Sequence, residues 1–359
     1  MNKFATILAG GGGTRFWPLS RQELPKQLLN ISGNDIMLND TIQRFNGVIP
    51  MENTIVVTNR SQAVLLESIM HTSVQPGNIL AEPVAKNTAA SILLAALFIE
   101  KHHGDSLMVV FPSDHHITEE DKFKKTLDHA CQIAIETGKL VTIGIKPTFP
   151  STGYGYISCQ NEAFMSKPCS VYEVAEFVEK PNFAKAQSYL SSGHYLWNSG
   201  MFIWKTSSIL DNFKRFLPRL YKTMLPLMAY MGTSQEVKMI NAIYPSLQNI
   251  SIDYGILERC DEVVVIEGDF GWNDIGSWDA LGAIFPPDVD GNIVKANYVG
   301  IETRNSIIYG EKRLITTLGI DGLIIADTKD ALLICSKEKA QDVKEIVAML
   351  KEKGMLEYT

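Results

Sequence analysis

Near its start the chain reads Ala9-Gly10-Gly11-Gly12-Gly13-Thr14-Arg15, and Pro25-Lys26 follows. Consecutive glycines leave no Cβ to block a ligand, and positive φ costs them little. The backbone N–H groups of such a turn form a concave anion site, to which Arg15 and Lys26 add fixed charge. This is chemistry for a phosphate-rich ligand. It is not a P-loop, because Lys26 lies too far from the glycines for G-x-x-x-x-G-K-[ST]. Nor is it G-x-G-x-x-G, because Arg15 stands three residues after Gly12.

Two acids could complete a phosphate site. Asp114, in Phe111-Pro112-Ser113-Asp114-His115, follows an apolar run and is placed to hold Mg²⁺ against phosphate oxygens; read alone, it serves equally as a turn cap. Asp274 stands in Gly271-Trp272-Asn273-Asp274-Ile275-Gly276-Ser277-Trp278, where glycines and tryptophans present a carboxylate rigidly. Two carboxylates plus polyphosphate oxygens complete an octahedral magnesium shell. Spacing alone does not show that they converge.

A third group suits a sugar phosphate. In Phe177-Val178-Glu179-Lys180-Pro181, Lys180 could bind a phosphate monoester and Glu179 could accept from hydroxyls, although such a pair also reads as a solvated strand edge. Asn198 adds an amide that donates and accepts, and Gly155, in Thr152-Gly153-Tyr154-Gly155-Tyr156, lies in a close-approach loop. No Ser/His/Asp or Cys/His set suggests a covalent nucleophile, and His115-His116 lacks partners at metal-ligand spacing.

The elements that must position these residues alternate. Phe4–Ala9, Ile55–Val57, Leu107–Phe111 and Leu140–Ile145 read as buried strands, Leu107–Phe111 as a central parallel one. Helices are expected over 61–70, from an Asn87 cap, and from a Thr118 cap followed by Glu119, Glu120 and Asp121. This pattern is a doubly wound, Rossmann-like α/β domain with a mixed sheet, spanning 1–285. Within it, the stretch from 148 to 276 changes texture, as a sugar site or an ordinary α+β insertion would. Residues 286–359 read as a small β module, of β-helix coils or a meander, with a Ser336-capped amphipathic helix ended by Gly354. No catalytic residue stands out there, so packing or homodimer contact is its expected role.

Composition closes several other routes. The charge, 33 − 40 = −7, has no basic tract, which argues against nucleic acid. Five scattered cysteines without a C-x-x-C pair suggest neither disulfides nor zinc. No apolar run is long enough for a leader or a membrane span, so the cytoplasm is the expected compartment.

Taken together, Leu8–Arg21, Pro25-Lys26-Gln27, Glu82-Pro83-Val84-Ala85-Lys86-Asn87-Thr88-Ala89, Pro112–His115, Phe177–Pro181, Trp197-Asn198-Ser199-Gly200-Met201 and Gly271–Trp278 resemble, in order, the mannose-1-phosphate guanylyltransferases (GDP-mannose pyrophosphorylases) of the sugar nucleotidyltransferase family. Departures are mild: Gly12 replaces a usual Ser, Lys86 a common Arg and Ala90 a common Pro. The resemblance implies a nucleotide-diphospho-sugar transferase fold with a short left-handed β-helix-like module. It also implies that GTP and mannose 1-phosphate give GDP-mannose and pyrophosphate by in-line attack, without a covalent intermediate. Ala9, Gly10, Gly11, Gly12, Gly13, Thr14, Arg15, Glu82, Asn87, Thr88 and Ser113 would then bind nucleotide. Gly155, Glu179, Lys180 and Asn198 would hold the sugar phosphate, with Lys26 steadying a phosphate and Asp114 and Asp274 ligating Mg²⁺. Guanine presents N1–H and N2–H₂ as adjacent donors that one carboxylate can accept, which suggests Glu82, although a plain helix-preceding acid is the alternative. The other readings are a different sugar 1-phosphate such as a manno-heptose, a different nucleotide, or a non-catalytic nucleotide-sugar-binding regulator. No isomerase activity is expected, since the chain leaves no room for the second barrel of some relatives.

Overall fold

The first apolar run forms strand β1 (Lys3–Leu8), buried at its four inner positions. It lies between β2 (Thr54–Asn59) and β4 (Leu107–Pro112), parallel to both, with Leu8 opposite Val57 and Pro112. β3 (Ile79–Glu82) extends the sheet beyond β2 and places Glu82 opposite Asn59. Gly10, Glu82 and Ser113 therefore leave the sheet at its carboxyl edge, where doubly wound folds bind ligands.

The computed structural model describes residues 1–33, 35–70, 74–164 and 169–359, without the side chains of 161–164. It divides into two compact units, one of Met1–Gly10, Thr41–Ser113 and Ile117–Trp272, the other of Gly11–Asp40, Asp114–His116 and Asn273–Thr359.

In the first unit the sheet continues through β5 (Leu140–Ile145), β6 (Tyr156–Phe164), β7 (Val171–Val178), β8 (Tyr195–Lys205) and β9 (Val263–Gly268). The nine strands run in the order β3-β2-β1-β4-β8-β5-β9-β7-β6. The middle of the chain is thus no separate insertion. Its long strand β8 pairs antiparallel with both β4 and β5, so β4 is parallel to its neighbour on one side only. The core is organised by helix Asn87–His103, which is buried at every position from Ala89 to Ile99. A helix apolar all round must be covered all round. It packs on the sheet and against helices Thr206–Phe216 and Pro218–Met224.

Two expected helix starts shift by one residue. Lys86 holds the cap position ahead of Asn87, which is left-handed (φ 64°) with its Oδ1 accepting from the Thr88 N–H. Glu119, rather than Thr118, caps helix Glu120–Thr137.

In the second unit β10 (Ile293–Ile301), β11 (Ile307–Leu318) and β12 (Leu323–Asp327) pair in parallel, and β13 (Leu332–Ser336) closes antiparallel. Parallel neighbours joined by short turns are stacked coils rather than a meander. The Ser336 hydroxyl accepts from the Glu338 N–H and caps a 3₁₀ turn, after which helix Val343–Glu352 runs toward Gly354 (φ 73°). Phe16, Trp17, Trp278, Ile293, Ile307, Ile324, Val343 and Val347 share this unit's core, so the residues after the glycine run are built into the β module. Among the described residues no helix is long and apolar enough to cross a membrane.

Leu94→Ala empties a fully buried position of the central helix. It should cost about 3 kcal/mol in urea-induced unfolding; a loss under about 1 kcal/mol would show the helix less tightly packed than described.

Candidate active site

In the second unit, Lys26 is the centre of a set of contacts. Its side chain is nearly fully buried, and Nζ donates to the Asp114 carboxylate (2.8 Å), the Asp114 carbonyl (3.0 Å) and the Asp274 carbonyl (2.7 Å). An ammonium has three hydrogens, and all three are used. Gly13 makes this possible. Its φ is 55°, and a Cβ there would stand 2.4 Å from the Lys26 Cβ, so only glycine lets the loop approach so closely. The Ser20 hydroxyl holds the same turn by donating to the Gly13 carbonyl.

A cavity of about 260 Å³ opens over this clamp, lined by Gly13, Thr14, Arg15, Lys26, Asp114, His115, Asp274, Gly276 and Lys344. Burial alone would raise the Asp114 carboxyl, but the Lys26 charge, with His115 and the Lys26 hydrogen bond, holds it below the usual carboxylate range. The Asp274 Oδ1 accepts from the Gly276 N–H at 3.2 Å. Two hard oxygen donors on one cavity wall suit a divalent cation whose other ligands are phosphate oxygens. Among the described residues no three or more His, Cys, Asp or Glu side chains could hold a metal by themselves.

The first unit carries two further constellations. At the end of β3, Glu82 is buried, and its Oε1 accepts from the Ser91 hydroxyl (2.7 Å) and the Tyr244 hydroxyl. Burial raises its pKa, and those two bonds partly offset the rise. Its Oε2 lies 3.9 Å from where a Cβ on Gly10 would be.

At the ends of β7 and β8, Lys180 Nζ donates to Glu179 Oε1 at 2.5 Å, and Lys180 itself is left-handed (φ 47°) and exposed. Glu179 Oε2 would stand 2.5 Å from a Cβ on Gly155, so a side chain there would push the Glu179 carboxylate aside. The Asn198 N–H donates to the Gly155 carbonyl, its Nδ2 to Asp253 (2.8 Å), and its Oδ1 accepts from the Gly200 N–H. Burial, and next the Glu179 charge, push the Asp253 carboxyl up to about 6.

Arg15, Lys26, Asp114 and Asp274 thus meet at one cavity, and Gly155, Glu179, Lys180 and Asn198 form one cluster. The Ile252 N–H donates to the Thr88 hydroxyl, and the Ser113 carbonyl accepts from the Thr41 hydroxyl. Lys344, Ser91, Tyr244 and Asp253 escaped the sequence reading, while His115, weighed there only as a metal ligand, lines the cavity. The β module, expected from the sequence to serve packing or homodimer contact, also contributes Lys344, on its terminal helix, to the cavity wall. One lysine among several on an amphipathic helix carries no sequence signal.

The chain belongs to the nucleotidyltransferase family: residues 4–289 match the nucleotidyl transferase family and 296–350 the mannose-phosphate isomerase/GMP-like β-helix domain. More particularly, it is 37% identical over 99% of its length to mannose-1-phosphate guanylyltransferase of Escherichia coli (strain K12), covering 75% of that protein. It is 36% identical to the alginate biosynthesis protein AlgA of Pseudomonas fluorescens, over 98% of this chain and 72% of that one. A crystal structure described as mannose-1-phosphate geranyltransferase from Thermus thermophilus superposes with TM-score 0.87 at 32% identity, covering 98% of this chain and 100% of that one. The protein is a nucleotidyltransferase enzyme.

Lys26→Met removes the partner that keeps Asp114 ionised. Asp114 is about one-third exposed, so the expected loss at neutral pH is only about 1–2 kcal/mol. A depressed carboxyl contributes stability above its unfolded pKa and loses it as pH falls through the folded value. Acidification below about pH 4 should therefore cost the variant less than the parent in urea titrations; equal acid sensitivity would contradict this account.

Proposed function

We propose that the enzyme transfers GMP from GTP to α-D-mannose 1-phosphate, giving GDP-mannose and pyrophosphate. The observation that carries this reading is the Lys26 clamp, which presents Asp114 and Asp274 to a cavity beside the glycine run and Arg15. Relatives named as mannose-1-phosphate guanylyltransferases supply the sugar and the base.

On this reading a phosphate oxygen of the sugar 1-phosphate attacks the α-phosphorus of GTP. The bond to the bridging oxygen between α- and β-phosphorus breaks, and pyrophosphate carries away the electron pair. The residues bind and orient the reactants while preorganised positive charge meets the developing negative charge. Ala9, Thr14, the Gly10–Gly13 backbone and Arg15 hold the triphosphate, with Asn87, Thr88 and Ser113 along the nucleotide. Glu82 accepts from guanine. Lys180 binds the sugar phosphate, and Gly155, Glu179 and Asn198 surround its hydroxyls. Lys26, its hydrogens already engaged, acts first as the clamp on the two acids and steadies a phosphate only by exchanging one of those bonds. Asp114 and Asp274 would hold Mg²⁺, which when bound supplies charge neutralisation for phosphate oxygens. We assign 1–285 to the catalytic domain and 286–359 to the β-helix-like module, and place the reaction in the cytoplasm.

Pyrophosphate release from a panel of triphosphates and sugar 1-phosphates tests the assignment. GTP with mannose 1-phosphate should give the highest kcat/KM; a manno-heptose phosphate or UTP doing better would replace the sugar or the base. Asp114→Asn and Asp274→Asn should each lower kcat by about 10²-fold or more. Lys180→Met should raise KM for the sugar phosphate about tenfold. Normal turnover in either Asp variant would remove the acids from the mechanism.

A further inference from the structure

The buried hydroxyls behind Glu82 have no place yet in the chemistry. Tyr244 is completely buried, and its hydroxyl donates to Glu82 Oε1. Ser91 donates to the same oxygen, but its single hydrogen is also within reach of the Asn87 carbonyl at 3.3 Å. Tyr244 is therefore the more committed anchor. With Oε1 engaged by two hydroxyls, Oε2 is turned toward Gly10, where no side chain obstructs a ligand. The segment that carries Tyr244 is itself fastened to the start of helix Asn87–His103. The Ala89 N–H donates to the Ile250 carbonyl (3.2 Å) and the Ile252 N–H to the Thr88 hydroxyl (2.9 Å).

A carboxylate held this way offers one fixed acceptor oxygen and cannot rotate to suit another ligand. Guanine places two adjacent N–H donors on one edge, whereas uracil and thymine flank a single N–H with carbonyl oxygens that a fixed carboxylate repels. We propose that Tyr244, seconded by Ser91, is a positioning residue that sets the base preference of the enzyme by fixing the carboxylate of Glu82 against a purine carrying adjacent N–H donors. The proposal rests on the reading of Glu82 as the base acceptor.

Tyr244→Phe removes the anchor and conserves the ring that fills the core. Losing a hydrogen bond to a charged group should raise KM for GTP about tenfold and cut the preference for GTP over UTP by a similar factor. kcat and KM for mannose 1-phosphate should stay within about twofold, a split that general loosening of the core would not give. The acid limb of kcat/KM for GTP should also move to higher pH. Burial already raises Glu82, the Tyr244 bond restrains that rise, and its loss lets the carboxyl protonate earlier as pH falls. Ser91→Ala should move the same quantities in the same direction by less. If Tyr244→Phe keeps the GTP KM, the base preference and the pH profile while Glu82→Gln loses the preference, the positioning role is overturned and the reading of Glu82 stands. If Glu82→Gln itself keeps the full preference for GTP, the reading of Glu82 fails, and the proposal with it.

Discussion

A single buried ammonium organises the candidate phosphate site of this enzyme. Lys26 binds the Asp114 side chain and two carbonyls, one on each of two segments far apart in sequence. Burying a lysine is costly unless its charge is paired and its hydrogens are all bonded. Here both conditions hold, so the cost of burial becomes a constraint: the glycine run, the segment after β4 and the Asn273–Trp278 segment must take their observed places in the second unit or leave a charge stranded. The aromatic packing of Phe16 on Trp278, and the indole N–H that Trp278 donates to the Trp17 carbonyl, fix the same geometry from the apolar side.

Most of the sheet was legible because its strands are short apolar runs between turn signals, and β1, β2, β4 and β5 fall where the runs fall. The place of β8 was not. Which neighbours a strand chooses depends on pairing across long sequence separations, and nothing in Tyr195–Lys205 announces that it runs antiparallel between β4 and β5. The β module shows the same limit: recurring apolar triplets fit coils and a meander alike, and only the parallel register separates them.

The candidate site divides in a similar way. Glycines, Arg15, Lys26, the two aspartates and the Glu179-Lys180 pair stood out because residue type and motif both carry chemistry. Lys344, Tyr244 and Asp253 did not, because their significance is positional. Tyr244 sits in an apolar stretch where a tyrosine is ordinary core, and only folding brings its hydroxyl to Glu82, from which it is separated by 162 residues. Asp253 belongs to a four-residue helical turn and gains meaning only through the amide of Asn198. The structure also refines the two-toothed picture of Glu82 as an acceptor of both guanine donors, because one of its oxygens is already engaged.

The charge pattern follows from the same constraint. The chain is net negative, so an anionic triphosphate cannot be drawn in by the overall field and has to be met by local groups. Lys26 contributes little free charge to that task, since Asp114 neutralises it at 2.8 Å. Beside Lys26 and His115, the cavity wall carries Arg15 and Lys344, one beside the glycine run and one on the helix that closes the β module. A lysine from a module read as packing thus stands on the wall of the cavity that the proposed reading gives to the phosphates. On the proposed reading, the β module would thus supply charge to the phosphate cavity as well as packing.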